Sequence, residues 1–189
     1  MFNGENYNKA EVNDQKAIMV RATVRPFATR DPVLRGLRAT IFYDGDNYIR
    51  NAERTRLIGQ LTFEHRYIVT GFEYLDAHDQ TSATKADVKG TGYSIWATPK
   101  APHGLEALLR YDHQTPNTSS GFAPAATAPT ATTSFGSQKQ NRLILGVAYW
   151  FPHQGNVSSA LLLDYDAQKF ENITTAPVRS VALHVLVNY

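Results

Sequence analysis

The stretch Leu105-Glu106-Ala107-Leu108-Leu109-Arg110-Tyr111-Asp112 sets Leu105, Ala107, Leu109 and Tyr111 on one side of an extended chain and Glu106, Leu108, Arg110 and Asp112 on the other. A period of two is the mark of a β-strand with one apolar and one wet face. Two environments fit such a strand: the face of a soluble core, or a wall with lipid on one side and water on the other.

The same alternation recurs outward from this segment. Lys16 to Phe27 places Ile18, Val20, Ala22 and Val24 opposite Met19, Arg21, Thr23 and Arg25. Leu37 to Asp44, Arg56 to His65, Tyr67 to Asp76, Thr91 to Thr98, Asn141 to Phe151, Val157 to Asp166 and Arg179 to Tyr189 repeat it. This reading gives about nine strands and no substantial helix.

The links between strands alternate in length. Ala28 to Gly36, the His65-Arg66 corner, Pro99 to Gly104 and Pro152 to Asn156 are short. Gly45 to Thr55, Ala77 to Gly90, His113 to Gln140 and Ala167 to Val178 are long and polar, and the third contains the low-complexity run Gly121 to Gly136. Short turns at one end and longer loops at the other are the habit of outer-membrane barrels. The fold expected is therefore all-β: an antiparallel up-and-down transmembrane β-barrel, in a single region.

Composition narrows the choices. With 42% hydrophobic, 11% aromatic and 19% charged residues the chain is not that of a disordered protein. No run of about 18 apolar residues exists to make a spanning helix. The mean hydropathy of -0.36 resembles that of a soluble protein, but a barrel strand meets lipid only at every second residue, so its average is uninformative. Nineteen basic and 17 acidic residues give a net charge of +2, which offers no field for nucleic acid. Absence of cysteine suits an exported protein as well as a cytosolic one.

The first residues, Met1-Phe2-Asn3-Gly4-Glu5-Asn6-Tyr7, lack the features of a secretion signal. Phe2 to Gln15 looks like an outside loop, and an odd strand number departs from the even parity of single-chain bacterial barrels. The expectation is an incomplete barrel: N-terminal strands and a signal peptide upstream, and a whole of roughly 16 to 18 strands.

At its end, Ser180-Val181-Ala182-Leu183-His184-Val185-Leu186-Val187-Asn188-Tyr189 resembles the assembly signal of outer-membrane proteins, with Val181, Leu183, Val185, Val187 and Tyr189 in the outward register. Gly90 to Trp96, Leu109-Arg110-Tyr111-Asp112-His113 followed by Pro116-Asn117, and Gly146-Val147-Ala148-Tyr149-Trp150 resemble the C-terminal half of phosphate-selective porins of the O and P type. That resemblance implies a passive channel, one protomer of a homotrimer, placed in the bacterial outer membrane by the barrel assembly machinery and surrounded by outer-membrane lipid. It implies no cofactor. The lysine-rich constriction segment of a phosphate channel is not found in these residues.

Candidate functional residues follow from the wet face. Arg21, Arg25, Arg38, Arg56, Arg110 and Arg142 would line a lumen with Glu64, Glu73, Glu106, Asp112, Asp164 and Asp166. One reading is a cationic wall favouring anions; the other is that both signs pair to solvate the lumen and brace neighbouring strands. Tyr43, Tyr74, Tyr111, Tyr149, Phe151, Tyr165 and Tyr189 fall near strand ends in the outward register, as headgroup-level rings do; packing in a soluble barrel core is the rival reading. Asp44-Gly45-Asp46-Asn47 reads as an Asx turn rather than a calcium loop. The six histidines contain no pair at metal-ligand spacing. No Gly-x-Ser-x-Gly elbow and no phosphate-binding glycine loop is present, so no enzyme is expected. A Ser–His pair joined across neighbouring strands would be the remaining route to one, and a soluble ligand-binding barrel is the third alternative.

Overall fold

The computed structural model describes residues 16–27, 29–31, 33–49, 51–80, 87–118, 139–152, 155–171 and 176–188. Nine strands form one antiparallel sheet in chain order: β1 (Ile18–Val24), β2 (Leu37–Ile49), β3 (Ala52–His65), β4 (Ile68–Asp79), β5 (Val88–Pro99), β6 (Leu105–Thr115), β7 (Gln140–Trp150), β8 (Ser158–Phe170) and β9 (Val178–Asn188). Every neighbour in sequence is a neighbour in space, so the topology is up-and-down throughout. The only described helical pieces are two three-residue 3-10 turns, Leu34–Gly36 and Pro102–Gly104, in the links before β2 and β6. No described helix is long and apolar enough to cross a membrane.

The strands lie where the alternation puts them, but several run on at the long-link end. β2 continues through Asp44, Gly45, Asp46 and Asn47, so the Asx turn expected there does not form. The supposed long link Gly45 to Thr55 is a tight hairpin in which Ile49 pairs with Ala52 and Asn51 turns the chain at φ 58°. Partners across the hairpin explain why turn-prone residues stay extended. The Asp46 carboxylate, 8% exposed, accepts from the Asn47 backbone N–H at 2.7 Å and from Arg54 on β3 at 3.0 Å. Likewise β4 reaches Asp79, β6 reaches Thr115 and β8 reaches Phe170, each past the last apolar residue of its outward face. Phe2 to Gln15, the Gly121 to Gly136 run and Tyr189 lie outside the described residues.

This sheet has no conventional core. Among the described residues the buried apolar ones are Ala17, Ala52, Ala77, Ala160 and Phe170, four of them alanines. The large apolar side chains of one face are instead uncovered: Ile41, Leu61, Ile95, Leu109, Val147 and Leu163 stand exposed across the sheet, and on β9 Val181 and Val185 reach 69% and 72%. A single layer cannot hold such a face in water, because each large apolar side chain left wet forgoes ~1.5–3 kcal/mol. β1 pairs only with β2 and β9 only with β8, so the sheet is open along both edges.

Candidate functional site

Antiparallel partners share a face, so the register sorts the side chains into rows that cross the sheet. On the polar face, one row runs Thr40, Gln60, Glu73, Ser94, Asp112, Arg142 and Gln168 from β2 to β8. The adjoining row runs Arg38, Thr62, Gly71, Trp96, Arg110, Ile144 and Asp166. Four concavities of the molecule are lined mainly by residues of this face.

The residues singled out in the sequence collect on that face, mostly in opposite-charge pairs. Arg38 bonds to Glu64 on β3. Arg56 reaches both oxygens of Asp79 at 2.8 and 2.7 Å, and Arg110 holds Asp112 through Nε at 2.8 and 3.1 Å. Arg142 on β7 grips Asp166 on β8 at 2.5 to 3.0 Å. Glu106 meets Lys100 at 3.2 Å, Asp164 meets His184 at 3.0 Å, and Glu73 accepts from Gln60 at 3.0 Å. Arg21 stands opposite Phe42. Arg25 falls just past β1, in a basic concavity at the short-link end with Arg35, Arg38, Arg66 and Lys100. Among the described residues, no carboxylate forms an ion pair with Arg21, Arg25, Arg35 or Arg66.

Some members of the face were not picked out by sequence. Arg35, Arg66 and Lys100 lie in links, which an alternation argument does not cover. Gln114, Gln140 and Gln168 sit side by side on three strands; Gln140 donates to Gln114 and Gln168 to Gln140, each at 2.5 Å. Each of these glutamines is visible in the sequence, but the register that stacks three of them is not. Trp96 lies across Gly71, whose missing side chain leaves the indole room: a Cβ there would stand 2.8 Å from the ring.

The opposite face carries Val181, Leu183, Val185 and Val187 of the terminal strand, all exposed. It also carries tyrosines at the long-link limit of the apolar residues: Tyr43 on β2, Tyr74 on β4, Tyr93 on β5, Tyr111 on β6 and Tyr165 on β8. Beyond them the same face turns polar, with Asp76, Thr91 and His113 next in register on β4, β5 and β6. Tyr111 and His113 both bond to Asn141 Oδ1, at 2.6 and 2.7 Å. Tyr93, which alternation alone does not place at a strand end, stacks on His113 with ring centres 5.2 Å apart. At the other limit, Tyr149 and Phe151 pack edge to face at 5.1 Å.

Among the described residues, no three histidine, aspartate or glutamate side chains converge as metal ligands. No family model, curated protein or solved structure matches the chain.

Proposed function

We propose that this sheet is part of the wall of an outer-membrane β-barrel of the porin type, with its apolar face against lipid and its polar face lining a water-filled channel for small hydrophilic solutes. The observation that carries the reading is the way the apolar band crosses the hydrogen-bonded rows. One row runs Val24, Ala39, Leu61, Phe72, Ile95, Tyr111, Leu143, Ala167 and Arg179 from β1 to β9. Val24 is the last apolar residue of β1 at the short-link end, whereas Arg179 precedes the first apolar residue of its face on β9. The band therefore slips by about one residue per strand, ~3.4 Å for each ~4.8 Å step between strands, which corresponds to a tilt of about 35°. A planar bilayer cuts tilted barrel strands in this way, and spanning strands tilt by roughly 35–45°. About eight residues at that tilt rise ~22 Å, near the height of the apolar band of known barrels.

The placement of the concavities favours the same reading over a soluble ligand-binding barrel. A soluble barrel turns its apolar face inward around a core or ligand, but here the concavities open on the polar face. Strands of 11 to 14 residues from β2 to β9 are long enough to span at this tilt. An enzyme has less support: among the described residues no serine hydroxyl bonds to a histidine. Resemblance to phosphate-selective porins rests on sequence motifs alone, and a homotrimer with outer-membrane lipid and the assembly machinery as partners is proposed on that ground. The basic concavity around Arg25, Arg35 and Arg66 favours anions at the short-link mouth.

Planar-bilayer recording of the refolded full-length protein tests the channel. Stable ohmic current steps are expected. A folded, membrane-inserted protein without current would overturn the reading.

A further inference from the structure

The middle of the polar face differs in chemistry from the basic mouth. The row Gln60, Glu73, Ser94, Asp112, Arg142 and Gln168 carries donors and acceptors on six consecutive strands. Arg142 is paired with Asp166 and Asp112 with Arg110, while the partner of the Glu73 carboxylate is the neutral Gln60 amide. In the next row Gly92 supplies no side chain between Leu75 and Gln114, and the three-glutamine ladder begins there. Glu73, Gly92, Ser94, Asp112, Arg142 and the three glutamines line one concavity of about 270 Å³. Ser94 borders it, 6% exposed, and its buried Oγ has no hydrogen-bond partner among the described residues. On the far side of the row Trp96 lies flat over Gly71 as an apolar platform.

Resting on the channel reading, we propose that this depression is a subsite for neutral polyhydroxylated solutes of the sugar class. Paired guanidinium and carboxylate groups give an ion little net field, but each keeps donor or acceptor capacity beyond its partner, as do the ladder amides. A polyol presents hydroxyls that both donate and accept, so it matches a row where both kinds alternate. Its C–H faces suit an indole surface, which is the mixture of an apolar wall and a few placed polar groups found in small-molecule sites. The Ser94 hydroxyl, shut off from solvent and without a partner among the described residues, is the polar atom that a water or solute hydroxyl would complete once the side chains over it move aside.

The chain has two tryptophans, so Trp150→Phe leaves Trp96 as the sole indole reporter. With this variant refolded in phosphatidylcholine vesicles, titration with maltose should give a saturable change in Trp96 fluorescence with half-saturation in the millimolar range, while sodium chloride gives none. Adding Ser94→Ala with Gln140→Leu should raise the half-saturation at least fivefold while the heat-modifiable folded form is retained. A linear, unsaturable response, or one unchanged by those substitutions, overturns the proposal. So does saturation by inorganic phosphate in place of maltose, which would make the row an anion site. Binding is read here without current: saturable fluorescence in a protein that passes no ions would sink the channel and keep the subsite, and current with no maltose response would do the reverse.

Discussion

At Gly71, a Cβ would meet the Trp96 ring at 2.8 Å, whereas at Gly59, on the other face, it would meet nothing within 4 Å. Valine at the first position should therefore destabilise the folded protein by ~1–3 kcal/mol through displacement of the indole. Valine at the second adds apolar surface to a face already apolar and should be neutral. Urea midpoints of the two variants refolded in lipid vesicles check this, and equal midpoints would contradict the placement of Trp96. The arginines divide in a similar way. Arg142 and Asp166 are partly solvent-exposed and linked to each other, so replacing both by amides should cost no more than about 1 kcal/mol and leave ion preference unchanged. Converting Arg25, Arg35 and Arg66 together to glutamine should move the reversal potential away from anions, because these guanidinium groups have no described carboxylate partner. An unmoved reversal potential would mean the basic concavity does not meet the ion path.

Along a strand, the two faces alternate residue by residue, and adjacent substitutions should have opposite consequences. Leu183 is exposed on the apolar face of β9, and its neighbour Ala182 lies opposite Asp164 on the polar face. Arginine at Leu183 should cost about 2–4 kcal/mol of folding free energy in the bilayer, as charge near the midplane of a barrel does, while arginine at Ala182 is accommodated beside a carboxylate. Folding yield into lipid, followed by the heat-modifiable gel shift, reads the contrast; equal losses would contradict the assignment of faces. These faces were legible in the sequence because a period of two needs no knowledge of neighbours. Strand ends were not legible. Asp44 to Asn47 has the composition of a turn, and its partners on β3, Arg56, Thr55, Arg54 and Glu53, hold it as a strand. Pairings such as Arg142 with Asp166, and the stacking of Gln114, Gln140 and Gln168, depend on register between strands far apart in sequence. Alternation within a single strand cannot supply register.

For the molecule as a whole, on the membrane-wall reading, the drift of the apolar band relative to the rows sets a strand tilt. Polarised infrared dichroism of oriented bilayers should report strands tilted by about 35° from the membrane normal; strands lying flat along the bilayer surface would contradict it. Because β1 and β9 run in the same direction in a sheet of nine antiparallel strands, the two open edges cannot join each other by an antiparallel pair. A barrel wall of this sheet thus requires a further strand or a parallel seam, since lipid leaves edge N–H and C=O groups unsatisfied. The measurement that bears most directly on the central claim is a nitroxide scan of β6, one label at a time from Leu105 to Thr115, in protein refolded into lipid vesicles. The account predicts that labels at Leu105, Ala107 and Leu109 collide with oxygen dissolved in the bilayer, that those at Glu106, Leu108, Arg110 and Asp112 collide with a water-soluble nickel reagent, and that the pattern turns wholly aqueous from His113 onward. Water-soluble accessibility at every position, or oxygen accessibility on the arginine side, would contradict it.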